Sequence, residues 1–195
     1  MDDLAAWAES PFFDDEPSKN WYQKPLRIAS WRAWMYGRHL ARGIPKDQVY
    51  RHGHFWCAKS PESHRGPFRH AVDFLVPDGS VIRAAAEGKV VELVERHERY
   101  GDGAQYRDTL NFITLAHENG EYTQYCHVLK DSAWKANVWL GSHVSRGQPL
   151  ARVGKTGWTD RDHLHFIVFR DAQNESPFPF KSLVPRFRIE RRAPV

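Results

Sequence analysis

The stretch Asp162–Arg170, DHLHFIVFR, sets two histidines one residue apart in an apolar run. Its Leu, Phe, Ile, Val and Phe favour an extended strand. In a strand alternate side chains share a face. His163, His165, Ile167 and Phe169 then lie on one face, and Leu164, Phe166 and Val168 on the other. In a helix the two imidazoles would diverge by about 200°. Side by side on one strand they suit a metal site or a catalytic pair. Two strand histidines, each with a local hydrogen bond, is the plainer alternative.

Outward from this strand, the chain beyond about residue 50 is a succession of short β-rich segments and turns. AVDFLV ends at Pro77-Asp78-Gly79, and SVIRAA and GKVVELVE follow. TLNFITLAH and YTQYCHVL are joined by ENGE, an Asn-Gly hairpin signal. GSHVSRGQPLARVG carries Gly and Pro punctuation before HLHFIVF closes the set. Many short strands with turn signals predict a mainly β fold: an antiparallel sheet forming a sandwich or partial barrel. Residues 1–27 read as irregular. SWRAWMYGRHLAR, Ser30–Arg42, reads as a helix capped by Ser30 and stopped at Gly43. Its Trp31, Trp34 and Met35 form an apolar stripe expected to pack on the main domain, with a lipid or partner surface as the alternative. The expected organisation is an N-terminal extension over 1–50, a β-rich main domain over 51–180 and a basic tail over 181–195.

A chain of 195 residues with 41% hydrophobic content has material for one sizeable core. No apolar run approaches the ~20 residues of a membrane-spanning helix. The acidic start MDDLAAWAESPFFDDEP lacks the basic and apolar regions of a signal peptide, so none is expected there. The formal net charge of +4 is unevenly spread. Residues 1–16 carry only acids, Pro17–His52 carries eight Lys or Arg against Asp47, and the tail from Lys181 adds five basic residues against Glu190. Solvated faces are the simpler reading and attraction to a polyanion, a nucleic acid or an anionic cell wall, the sharper one. Region 17–52 would hold such a polymer or cover a groove as an inhibitory segment. Cys57 and Cys126 define no disulfide framework and are either paired or both free.

Partners for the His163–His165 pair are few. SHRGPFRHAVDF (Ser63–Phe74) offers His64, His70 and Asp73, and YTQYCHV offers His127. A catalytic zinc takes three protein ligands from His and Asp/Glu and keeps a position open for water. Strand alternation places Tyr125 on the face of His127, as a wall or core residue, and Cys126 on the opposite face, as a small buried residue rather than a nucleophile. Asp162 reads as a surface acid, with orientation of an imidazole as the alternative. The remaining histidines read as surface or locally hydrogen-bonded groups.

Three ordered pieces, SHRGPFRHAVDFLVPDGSVIRAAAEGKVV, HENGEYTQYCHV and VSRGQPLARVGKTGWTDRDHLHF, resemble the lysostaphin-type (LytM-like) zinc endopeptidases over about residues 63–170. The resemblance implies a small antiparallel sheet with a groove, one Zn²⁺, and hydrolysis of peptide bonds in peptidoglycan by a metal-activated water. It implies zinc ligands at the motif His, Asp73 and His165, with His127 and His163 as catalytic histidines outside the metal's shell. The common form of the motif has His four residues before Asp, where this chain has Arg69. A longer-spaced form makes His64 the ligand. Strand alternation agrees, because His70 would lie on the face opposite Asp73 and serve as a packing residue. A monomer at the cell envelope or outside the cell, with no nucleic-acid partner, is expected on this reading. A non-catalytic binding or activating module of the same fold, or a zinc peptidase for another peptide, are the alternatives.

Overall fold

The computed structural model describes residues 15–172 and 179–189. They contain fourteen strands: β1 (Pro17–Tyr22), β2 (Val49–His52), β3 (Phe55–Ala58), β4 (Val72–Phe74), β5 (Val81–Arg83), β6 (Gly88–Val94), β7 (Tyr100–Gly101), β8 (Phe112–Ala116), β9 (Glu121–Cys126), β10 (His143–Val144), β11 (Pro149–Arg152), β12 (Gly157–Trp158), β13 (Leu164–Asp171) and β14 (Phe180–Phe187). The helix α1 spans Ser30–Leu40. Ten strands make one sheet in the order β10-β6-β8-β9-β13-β4-β3-β2, with β14 also on β13 and β1 on β14. Its pairings are antiparallel apart from the parallel β1–β14 pair. The mainly β, antiparallel architecture expected from the strand and turn signals is what forms, as an open sheet rather than a closed barrel.

The alternation in β13 has the expected consequence. Leu164, Phe166 and Val168 are fully buried in the core with Tyr125, Phe74, Ile113 and Leu115. The β5–β11 pair supplies Ile82, Leu150 and Ala151 to the same cluster as a second layer. The other face carries His165, paired in register with Asp73 on β4 and with Cys126 on β9. The ENGE turn closes the β8–β9 hairpin, with Gly120 at φ +78°, a conformation that costs glycine little.

The flanks depart from expectation. Residues 1–14 lie outside the described residues. Within 15–27, read as irregular, β1 pairs with β14, and β14 in turn extends the central sheet from within the expected tail. Two carboxylates secure this arrangement. Glu16 pairs with Arg170 and Lys181 at 3.0 Å each. Those partners, Arg170 first, hold the Glu16 carboxyl down to about 2 against the opposing effect of burial. Buried Glu121 accepts hydrogen bonds from the Lys19 and Asn20 amides, the Tyr22 hydroxyl and Asn119. Glu16 from the acidic segment and Lys181 from the basic tail thus meet on the sheet.

The helix also differs from its reading. Ala29, not Ser30, is the N-cap, and no side chain caps it. Trp31, Trp34 and Met35 are 65%, 41% and 45% exposed, so their stripe does not pack on the main domain. The buried positions are Ala33 and Gly37, one turn apart. A β-carbon on Gly37 would sit 2.8 Å from Trp56 Cβ. Close approach to β3 requires the small-residue face, and the bulky residues are left outside.

Candidate metal centre and groove

Asp73 and His165 face each other across the β4–β13 ladder, and His165 Nδ1 is hydrogen-bonded to Asp73 Oδ1 at 2.7 Å. His64 comes from the loop before the 3₁₀ turn Gly66–Phe68, and its Nε2 lies 3.1 Å from Asp73 Oδ2. The three residues offer ligand atoms within 4.8 Å of one another, all on buried side chains. His64 is the telling member. Its side chain is fully buried, and neither ring nitrogen has a hydrogen-bond partner. Apart from the ion-pair contact of Nε2 with Asp73, this buried imidazole makes no hydrogen bond, which is costly. Two imidazoles and one carboxylate are a donor set suited to zinc, and a divalent cation would satisfy all three. Burial would raise the Asp73 pKa, but His64, His163 and His165 hold it well below the usual carboxylate range. Burial also lowers His165, against the pull of Asp73. Carboxylate and neutral imidazole are the protonation states that bind metal.

His163 and His127 flank the cluster. His163 Nδ1 donates to the Arg161 carbonyl at 3.0 Å, and its Nε2 lies 3.7 Å from Asp73 Oδ1. His127 Nδ1 donates to the Thr156 carbonyl at 2.7 Å, which leaves Nε2 unprotonated in the neutral ring. The two rings are 4.5 Å apart. Burial, reinforced by His163 and His165, pushes His127 well below its ordinary value and keeps it neutral. His127 does not continue β9. Its φ of +61° is left-handed, a strained state for a residue with a β-carbon. The strain is held by flanking contacts: Gly154 donates to the His127 carbonyl at 2.7 Å, and Val128 donates to Asn111. A β-carbon on Gly154 would stand 2.7 Å from Leu129 Cα, so this approach needs glycine.

That turn decides between the two roles left open for Tyr125 and revises the face expected for Cys126. Tyr125 is in the core, 0% exposed, its hydroxyl accepting from the Ala85 amide at 2.8 Å. Cys126 lines the groove beside His127 instead of facing away. Its thiol is nonetheless no nucleophile: burial, then Asp73 and Glu92, push its pKa up, and Sγ bonds Gln124 at 3.4 Å. Both cysteines are free thiols. His70 stays out of the cluster, but for a different reason from the one expected. β4 begins only at Val72, and the His70 ring turns towards Asp15, at 3.7 Å. Asp162 orients no imidazole; it pairs with Lys155 at 2.5 Å.

The cluster opens on a groove of about 790 Å³. Arg65, Phe68, Arg107 and Trp158 are among the residues that line it. Arg107 lies 4.8 Å above the Trp158 ring, whose Nε1 donates to Asp102 at 3.3 Å. Ile44 and Gln48, after α1, form part of the rim. Sequence reading overlooked this aromatic wall and the role of Thr156. The available signal for Thr156 was the Gly154–Gly157 stretch, GKTG, among the matching pieces. No helix among the described residues is long and apolar enough to cross a membrane.

Known proteins are similar to this chain in sequence. Lysostaphin of Staphylococcus simulans is 31% identical over 125 residues, 62% of this chain and 22% of that protein. The peptidoglycan DD-endopeptidase ShyB of Vibrio cholerae is 31% identical over 138 residues, 68% of this chain and 29% of that protein. The murein hydrolase activator EnvC of Escherichia coli is 28% identical over 145 residues, 71% and 30% respectively. The chain thus spans less than a third of the length of these relatives. The model of "Peptidase family M23" matches residues 67–177. Asp73, His127, His163 and His165 fall inside that match, and His64, three residues before it, is brought to them by the fold. With more than half of its length matched, the chain belongs to peptidase family M23.

Proposed function

We propose that this chain is a zinc metalloendopeptidase that hydrolyses peptide bonds of bacterial peptidoglycan through a metal-activated water. His64, Asp73 and His165 would hold the zinc. When bound, zinc supplies Lewis-acid polarisation of the scissile carbonyl and a water acidic enough to ionise near neutral pH. The chain's own residues do the rest. The Thr156 carbonyl fixes His127 with its proton on Nδ1, so Nε2 is a lone-pair acceptor for a proton from water. The Arg161 carbonyl likewise holds the Nδ1 proton of His163 and turns Nε2 towards the cluster. Protonated there, it would stabilise negative charge developing on the substrate oxygen. Trp158 and Phe68 border the groove that would receive an extended peptide.

The observation that carries the reading is His64, buried with both ring nitrogens unbonded beside the Asp73–His165 pair. Zinc content of the purified protein, beside His64→Ala, His70→Ala and His165→Ala, tests it. The expected result is one zinc per chain, lost with His64 and His165 and kept with His70. Digestion of purified sacculi, with unrelated peptides as controls, then tests the substrate. Zinc bound with only the unrelated peptides cleaved would move the substrate elsewhere. Failure to bind supplied zinc would refute catalysis in favour of an activator module.

A further inference from the structure

A second concavity, of about 810 Å³, lies away from the metal centre. Three separate stretches build it: the approach to α1 (Lys24, Arg27, Ser30), the β2–β3 turn (Arg51–His54) and the end of β14 (Phe187–Ile189). Lys24, Arg27, Arg51 and Arg188 line it, with His52 and His54, and no Asp or Glu among the described residues does. Lys24 Nζ reaches over the turn, 3.7 Å from where a β-carbon on Gly53 would sit. Arg188 is fixed by a hydrogen bond from Nε to the Trp21 carbonyl at 3.0 Å. Arg51 lies 5.6 Å from the Trp56 ring.

Several cations elsewhere in this fold have carboxylate partners: Arg170 and Lys181 on Glu16, Lys155 on Asp162, Arg161 on Asp160. Among the described residues these four form no ion pair. Like charges gathered around one concavity repel, and an anion would relieve that repulsion. We propose that this cleft is a second binding site, for a multiply charged phosphate anion, separate from the metal centre. A single carboxylate engages one guanidinium fork, whereas a phosphate has oxygens enough for two forks and an ammonium. The start of α1 adds to the field: Ala29 and Ser30 line the cleft, and no side chain caps the first-turn amides. The basic groups line a concave wall, which fits a compact anion better than a flat bilayer.

The test is a titration of the zinc-loaded protein with inorganic phosphate, followed by ¹⁵N–¹H NMR against sodium chloride at equal ionic strength. Saturating shifts are expected at the amides of residues 27–32, 51–54 and 187–189, distinct from any shifts around His127 and His163. The double variant Arg27→Glu/Arg51→Glu should weaken the first set at least about tenfold, the loss of one charge-assisted contact. Lys89→Glu, an exposed charge reversal on β6, should leave it unchanged. A dispersed amide spectrum shows that each variant is folded. Equal weakening by Lys89→Glu, or shifts that chloride reproduces, would overturn the proposal. Co-sedimentation with phosphatidylglycerol vesicles, against phosphatidylcholine, separates a lipid headgroup from the free anion. Vesicle binding without saturable phosphate shifts would also overturn the proposal, and would make the exposed Trp31–Met35 face the contact. None of these outcomes depends on peptidase activity.

Discussion

Tyr125→Phe removes one oxygen from the molecule and separates two roles that strand parity allows for this residue. If Tyr125 shared a wall with His127, its hydroxyl would face substrate, and loss would fall on turnover. In the structure the ring is completely buried against Phe166, and the hydroxyl accepts from the buried Ala85 amide at 2.8 Å. The Thr123 hydroxyl is hydrogen-bonded to the same oxygen at 3.1 Å and also lies 3.0 Å from His117 Nε2. Burial pushes the phenol up to about 12, so it stays protonated at working pH. Phenylalanine fills the same space but leaves the Ala85 amide without a partner, while Thr123 retains His117. An orphaned buried donor costs about 1–3 kcal/mol. Taking about 2 kcal/mol, a chain of this size loses roughly 4–8 °C in melting temperature. Thermal unfolding and sacculus digestion well below the transition are measured together. The expected result is a lower melting temperature with unchanged zinc content and turnover. Unchanged stability with lost turnover would refute the core assignment and return Tyr125 to the groove.

Two further predictions concern the same buried polar layer and the strand it anchors. Burial lowers the His117 pKa, against the Glu87 carbonyl and Glu121, whereas the unfolded ring titrates near 6.5. The unfolded state therefore binds the proton more tightly, and stability present above about pH 6.5 is lost as pH falls through that value towards the lowered folded one. His117→Gln should lose less melting temperature than wild type between about pH 7.5 and 5; an equal loss in both would assign the acid sensitivity to other groups. Glu121→Ala strips the acceptor from the Lys19 and Asn20 amides and the buried Tyr22 hydroxyl, a cost of about 3 kcal/mol. Limited proteolysis should then cleave within residues 17–22 well before the rest of the chain, and a cleavage pattern identical to wild type would show that Glu121 does not hold β1.

How far sequence could see depended on whether the backbone obeyed a period. Along β13 it does, and parity sends Leu164, Phe166 and Val168 into the core and His165 to the other face, where the β4 register sets it opposite Asp73. At the end of β9 it does not. A left-handed His127 redirects its own ring and leaves Tyr125 and Cys126 on faces opposite to those counted from it, and nothing in YTQYCHV marks the change. The signal lay elsewhere in the chain, in GKTG, whose Gly154 and Thr156 hold that turn in place. The helix failed for a steric reason: apolarity favours burying Trp31 and Trp34, but proximity to Trp56 admits only Ala33 and Gly37. Strand β1 was invisible because PSKNWY has little β pattern, and its partners on β14 lie more than 160 residues away. His64 shows the same limit from the favourable side. The longer-spaced motif names His64, nine positions before the carboxylate, but neither spacing nor strand parity traces the path between them. Only the curl of Arg65–Arg69 through a 3₁₀ turn does that, and it leaves His64 buried with two nitrogens that a metal would satisfy.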